Sequence, residues 1–129
     1  MPAVGDHMTR GVLTISADAT LGEAAAKMAE RAVGAVVILE GDSIAAILTE
    51  RDVMKAVAAG KDGSASVADW MTRRPDTIEP EDTTDHAATL MIHGGFRHLP
   101  VVEAGKVVGI VSIRDLMRVA LDDRAPRGV

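Results

Sequence analysis

Ile47-Leu48-Thr49-Glu50-Arg51-Asp52-Val53-Met54 is followed 63 positions later by Ile110-Val111-Ser112-Ile113-Arg114-Asp115-Leu116-Met117. Both stretches run from two aliphatic residues through a hydroxyl side chain to Arg-Asp, and both end on an aliphatic residue and Met. Working outward at the same offset, Val4–Met54 lies over Val67–Met117 without a gap and gives 16 identities in 51 positions. Unrelated sequences of ordinary composition would give about three. Asp6, Met8-Thr9-Arg10, Thr14-Ile15, Thr20, Ala24-Ala25, Met28 and Glu40 recur as Asp69, Met71-Thr72-Arg73, Thr77-Ile78, Thr83, Ala87-Ala88, Met91 and Glu103. A fixed offset of this kind marks two copies of one supersecondary unit, neither of which buries its apolar face alone.

Each copy reads as β-α-β-β-α, which makes the chain a mixed α/β (α+β) protein. In the first copy Leu13–Ile15 is a short strand, and Leu21, Ala24, Ala25 and Met28 fall at the spacing of one helical face. Thr20 with Glu23 forms a capping pattern at that helix's start, and Gly34 supplies a stop. Two apolar runs, Ala35–Leu39 and Ile44–Leu48, flank the turn Glu40-Gly41-Asp42-Ser43 and predict a hairpin. A second helix opens near Thr49 and carries Val53, Met54, Val57 and Ala58 on one face. The second copy repeats the plan: Thr77-Ile78, a helix over Thr84–His93, the breaker Gly94-Gly95, strands Leu99–Glu103 and Val107–Val111, and a helix over Ile113–Leu121. Residues 1–60 form the first copy, 61–66 a connector, 67–123 the second copy and 124–129 a tail. Hairpins this apolar predict sheets covered on one face by helices and on the other by the sister copy.

Composition narrows the possible functions. The chain is 47% hydrophobic over 129 residues, enough for a real core, yet Trp70 and Phe96 are its only aromatic side chains. The core is therefore assigned to Ala, Val, Ile, Leu and Met, with Met28, Met54, Met91 and Met117 as gap-fillers and a lesser role for some of them at a dimer interface. The lack of cysteine excludes disulfides, thiolate metal sites and thiol nucleophiles and suits a reducing cytoplasm. A formal charge of -5 argues against broad attraction to a nucleic-acid backbone. The amino-terminal stretch shows no signal-peptide pattern and no apolar run nears the roughly 18 residues that span a bilayer, so an untargeted protein with no membrane partner is expected.

Three groups of residues carry a resemblance. Asp6-His7-Met8-Thr9 and Asp69-Trp70-Met71-Thr72 precede the first strands; Gly34-Ala35-Val36-Val37-Ile38-Leu39 and His98-Leu99-Pro100-Val101-Val102 form the second strands; Ile47-Leu48-Thr49-Glu50-Arg51-Asp52 and Gly109-Ile110-Val111-Ser112-Ile113-Arg114-Asp115 join hairpin to helix. With these the chain resembles the CBS-pair (Bateman) family over nearly its whole length. The resemblance implies tandem CBS repeats packed with pseudo-twofold symmetry, two clefts, and a ligand such as AMP, ADP, ATP, S-adenosylmethionine or NAD(H), with no cofactor required. It also implies that the Ser/Thr-x-x-Asp element grips the ribose and the phosphate end of that ligand.

The chemistry of that element is consistent. A carboxylate on the first turn of a helix can accept both ribose hydroxyls, while the helix N-terminus, a hydroxyl and an arginine favour phosphate. Thr49, Arg51 and Asp52 supply one set, and Ser112, Arg114 and Asp115 the other. The same spacing is also a capping box, and the two roles are compatible. Arg97-His98 stands where the family often places His then Arg to reach phosphate, here in reverse order; a solvated loop pair is the other reading. The first copy has Gly34-Ala35 at that place, and Ala46 where the second has Gly109 with its freer backbone. The Asp115 half is thus expected to be the more competent site. Thr14, Ile15, Val36, Thr77 and Ile78 are candidates for the purine walls, and each is equally a plain core position.

No metal site is expected of His7, His86, His93 and His98, since His86 and His93 stand two helical turns apart. No nucleophile elbow, phosphate loop or dinucleotide fingerprint is present, so no catalytic residue is assigned and the chain is not expected to be an enzyme. Two functions remain. One is a regulatory module that binds an adenosyl ligand and signals to an unknown partner protein, the family's habit implying a homodimer. The other is a ligand-free dimerising scaffold, for which Trp70 would be a reasonable interface anchor.

Overall fold

Thr20 ends an extended segment, and its hydroxyl accepts the N–H of Glu23 at 3.1 Å, which opens helix α1 (Leu21–Arg31) in this computed structural model. The structure describes residues 2–124. Leu21, Ala24 and Met28 turn inward from α1 while Glu23, Lys27 and Glu30 stay exposed, as the helical spacing requires. The helix ends at Ala32, not at Gly34. Ala32 takes the left-handed conformation (φ 54°), and the Val33 N–H bonds back to the Met28 carbonyl at 3.0 Å. A left-handed alanine costs roughly 1 kcal/mol, set against carbonyls that would otherwise be unpaired.

Strands β1 (Ala35–Glu40) and β2 (Ser43–Thr49) follow as the expected antiparallel hairpin, with Val37 opposite Ile47 and Gly41 (φ 65°) in the turn. Helix α2 (Glu50–Ala58) leaves β2 directly. The short helix α3 (Val67–Trp70) leads to β3 (Thr72–Arg73), which pairs with β2 through Ala46–Arg73 and Ile47–Thr72. Thr14 lies parallel beside Val37 at the other edge, so the expected first strand is reduced to a single bridge. Leu21, Ala24, Met28, Val36, Ile38, Ala46, Leu48, Ala56 and Val67 form the core of this unit.

The segment between α2 and α3 is held in place. Its Ala65 and Gly63 carbonyls accept the Leu21 and Gly22 N–H groups at 2.8 and 2.9 Å, pairing two donors at the start of α1 that the helix itself leaves unmatched. Any side chain on Gly22 would meet the Gly63 carbonyl oxygen at 3.1 Å.

The second unit contains α4 (Thr84–Gly94), β4 (His98–Glu103), β5 (Lys106–Ser112) and α5 (Ile113–Arg124). Thr83 caps α4 through the His86 N–H, and Gly95 (φ 71°) closes it, as the Gly94-Gly95 pair predicts. Ile78 lies parallel beside Val101 in β4, and Thr9 lies antiparallel beside Ile110 in β5, with N–H to carbonyl distances of 2.8 and 3.0 Å in the two directions. The core comprises Val4, Ile78, Ala87, Met91, Leu99, Val101, Val111 and Leu116.

The two compact units do not follow the order of the repeats. One gathers residues 12–75 with 105–107; the other gathers the residues up to 11 with 76–104 and those from 108 onward. Val4 and Gly5 donate to the Asp82 and Pro80 carbonyls, each at 2.8 Å, and the Thr84 N–H reaches Pro2 at 3.0 Å. The leading Met-Thr segment of each copy thus forms the outer edge of the sheet built by the other copy's hairpin. Of the tail, Arg124 ends α5 and the rest lies outside the described residues.

Met28 and Met91 fill core space as expected, but Met54 and Met117 are 62% and 58% exposed. Asp52 and Ala56 are the buried residues of α2, whereas Met54, Val57 and Ala58 face outward and Val53 is half-buried. The helix is turned so that its first-turn carboxylate, rather than its methionine, is enclosed.

Candidate functional site

Two aspartates at two helix starts organise the chemistry. Thr49 and Asp52 satisfy one another: the Thr49 hydroxyl accepts the Asp52 N–H at 3.3 Å, and Asp52 Oδ2 accepts the Thr49 N–H at 2.9 Å and the Thr49 hydroxyl at 3.2 Å. Ser112 and Asp115 repeat the arrangement. The Ser112 hydroxyl accepts the Asp115 N–H at 3.2 Å, and Asp115 Oδ2 accepts the Ser112 N–H at 2.8 Å and its hydroxyl at 3.0 Å. A buried carboxylate is costly unless hydrogen-bonded, and this reciprocal pairing lets Asp52 and Asp115 sit only 7% and 9% exposed.

The other oxygen of each carboxylate has different company. Asp52 Oδ1 accepts the hydroxyl of Thr72 from β3 at 3.3 Å, with Oδ2 at 3.5 Å from the same hydroxyl. Asp115 Oδ1 faces the Arg118 guanidinium one turn along α5, at 3.8 Å. Neither Thr72 nor Arg118 is singled out by the Ser/Thr-x-x-Asp pattern. Arg118 could be read from its i+3 spacing; Thr72 is marked only by its identity with Thr9, because its contact arises from a sheet pairing that spacing does not reveal.

Arg97 joins the Asp115 site through its main chain. Its carbonyl accepts the Ile113 N–H at 2.9 Å, which sets residue 97 beside the first turn of α5; Gly34 does the same for Glu50 at 3.0 Å. The Arg97 side chain is exposed, and His98, half-buried, begins β4. Arg51 and Arg114 are exposed on the first turns of their helices. Each unit therefore gathers a hydroxyl, a buried carboxylate and an arginine at one helix start, and the Arg97 main chain lies beside that of Asp115.

The expected wall residues divide by burial. Val36 and Ile78 are enclosed in their respective cores, Ile15 packs half-buried against the first core, and Thr14 and Thr77 are exposed. Thr14, Ile15 and Val36 share a unit with Asp52, and Thr77 and Ile78 share one with Asp115. Gly109 has a different basis from the one its residue type suggests. Its φ is not left-handed; a Cβ there would stand 2.6 Å from Met8 Sδ.

Among the described residues no group of three or more His, Asp or Glu side chains could hold a metal ion, and no helix is long and apolar enough to cross a membrane.

Comparison with known proteins gives the family. The CBS-domain family model matches residues 4–59 and 67–122. A CBS-domain-containing protein of Bacillus subtilis is 35% identical over 117 residues, which span 90% of this chain and 84% of that protein. A CBS-domain protein from Pyrobaculum aerophilum, solved in complex with AMP, superposes with a TM-score of 0.84 at 29% identity, covering 94% of this chain and 96% of that one. A CBS-domain pair solved with 5'-methylthioadenosine and S-adenosyl-L-methionine superposes with a TM-score of 0.89 at 26% identity, covering 95% and 98%.

Proposed function

The chain belongs to the CBS-domain family, and from that premise we propose that it is a regulatory sensor of an adenosyl ligand, with AMP and S-adenosylmethionine the leading chemical types. The observation that carries the reading is the pair of nearly enclosed carboxylates, each held by its own helix start, with one oxygen turned toward Thr72 in the case of Asp52 and toward Arg118 in the case of Asp115. Solved relatives that hold AMP, or 5'-methylthioadenosine with S-adenosylmethionine, support the ligand class.

At the better site, Asp115 accepts the ribose hydroxyls. The Ser112 hydroxyl, the first turn of α5, Arg114, and Arg97 with His98 meet the phosphate or other polar end. Arg97 can offer two parallel N–H groups to phosphate, which His98 cannot. Thr77 and Ile78 of the same unit are the proposed adenine contacts. Thr49, Arg51, Asp52, Thr14, Ile15 and Val36 form the corresponding set around Asp52, without the basic pair.

The role is regulatory rather than catalytic. Both carboxylates are committed to their own helix starts, an arrangement suited to holding a diol and not to moving a proton. Signalling requires that ligand favour one arrangement of the chain over another, which a partner protein then reads. We place the protein in the cytoplasm as a homodimer joined through the exposed apolar residues of α2 and α5.

Isothermal titration with AMP, S-adenosylmethionine and NADH tests the ligand class. Heat with at least one adenosyl compound is expected, reduced in Asp115→Ala to that of the weaker Asp52 site. Absence of heat with all three, together with an unchanged melting temperature, removes the reading and leaves a ligand-free scaffold.

A further inference from the structure

Thr72 makes the two sites chemically unequal. Its hydroxyl donates to Asp52 Oδ1 at 3.3 Å and lies 3.5 Å from Oδ2, while Oδ2 already takes the Thr49 N–H and hydroxyl. Asp52 therefore has a hydroxyl donor seated on the oxygen that a ribose hydroxyl would need. In the other unit Thr9 stands beside Ile110 in the register that Thr72 takes beside Ile47, yet among the described residues Asp115 receives no hydroxyl from it. The exposed Arg118 arm approaches Asp115 Oδ1 at 3.8 Å.

We propose that the Thr72 hydroxyl acts as an internal stand-in for a ribose hydroxyl at Asp52, lowering that site's affinity and setting a fixed order of filling in which Asp115 is occupied first. The inference rests on the adenosyl-ligand reading. A ligand entering at Asp52 must replace a bond the carboxylate already has, and a hydrogen bond to a charged group is worth about tenfold in an equilibrium constant. Thr72 is exposed, so its hydroxyl can turn to water when displaced. It also sits in a two-residue strand pinned to β2 by Ala46–Arg73 and Ile47–Thr72, which keeps the hydroxyl aimed at Asp52 while the site is empty.

Titration of the 129-residue chain with AMP tests this, using Asp115→Ala to isolate the Asp52 site and Asp115→Ala/Thr72→Val to remove the hydroxyl at nearly constant side-chain shape. The double variant is expected to bind AMP about tenfold more tightly than Asp115→Ala. Asp115→Ala/Thr72→Ser, which restores a hydroxyl, should return to the weaker value. Asp115→Ala/Thr72→Ala gives the same readout should valine disturb the strand, and circular dichroism checks each fold. Equal affinities with and without the hydroxyl overturn the stand-in while leaving the adenosyl reading intact, as does a wild-type chain that fills both sites equally. Failure of the wild-type chain to bind any adenosyl compound removes both.

Discussion

Met8 lays its thioether over the main chain of Gly109, so closely that a Cβ on the glycine would stand 2.6 Å from Sδ and 3.0 Å from the Thr9 carbonyl oxygen. The glycine is there because the leading segment of the first copy crosses it, two residues before Val111 enters the core.

Gly109→Ala is therefore expected to destabilise the protein by about 1–2 kcal/mol, because Met8 must shift and the Thr9–Ile110 pairing is pushed outward. Urea denaturation measures the loss. Met8→Ala in the same chain should recover part of it, which a purely conformational role for the glycine would not allow.

Ser112→Ala and Thr49→Ala each remove a helix-capping hydroxyl and should cost about 1 kcal/mol of stability. Asp115→Asn leaves an acceptor for the Ser112 N–H but removes the charge. Its fold should persist while the rise in melting temperature caused by AMP shrinks to that of the weaker Asp52 site, as thermal-shift measurements would show.

Met54 and Met117 occupy equivalent places on α2 and α5, and Val57 and Leu121 lie exposed one turn further along. Met54→Glu with Met117→Glu should shift the protein toward monomer without lowering the stability of each chain, since neither side chain is in a core. Light scattering coupled to size-exclusion chromatography reads the change.

Asp62 accepts both the hydroxyl and the N–H of Ser64, and these bonds hold its carboxyl below the ordinary carboxylate value. A depressed folded-state pKa stabilises the fold above the unfolded value, and the contribution fades as pH falls through the folded one. Ser64→Ala should move the Asp62 titration upward, followed by NMR, and shift the acid limb of the stability profile only slightly because the group is exposed.

The duplication, the hairpins and both capping elements were legible because they depend on local spacing: Thr49 to Asp52, Ser112 to Asp115, Gly41 and Gly95 at their turns. The exchange of edge segments was not. Thr9 and Thr72 look alike in sequence, and nothing local says that each pairs with the other copy's hairpin; long-range pairing is chosen by which core closes best. The rotation of α2 was hidden for a related reason. Asp52 and Met54 both fit a buried face by spacing, and the hydroxyl of Thr72, supplied from 20 residues away, is part of what makes the carboxylate tolerable inside. Ala32 shows the limit at the smallest scale: glycine is the usual left-handed cap, but here an alanine takes that conformation two residues before Gly34.

The crossed edges also bear on ancestry and on dissection. A half-length chain carrying one copy has a hairpin without its outer neighbour and a Met-Thr segment without a place in its own sheet. Two such halves could complete each other only by trading those segments, so an ancestral single-copy polypeptide would have functioned as an interlocked pair before its gene doubled. Fragments cut between residues 60 and 66 should accordingly reassemble when mixed, and neither should fold well by itself.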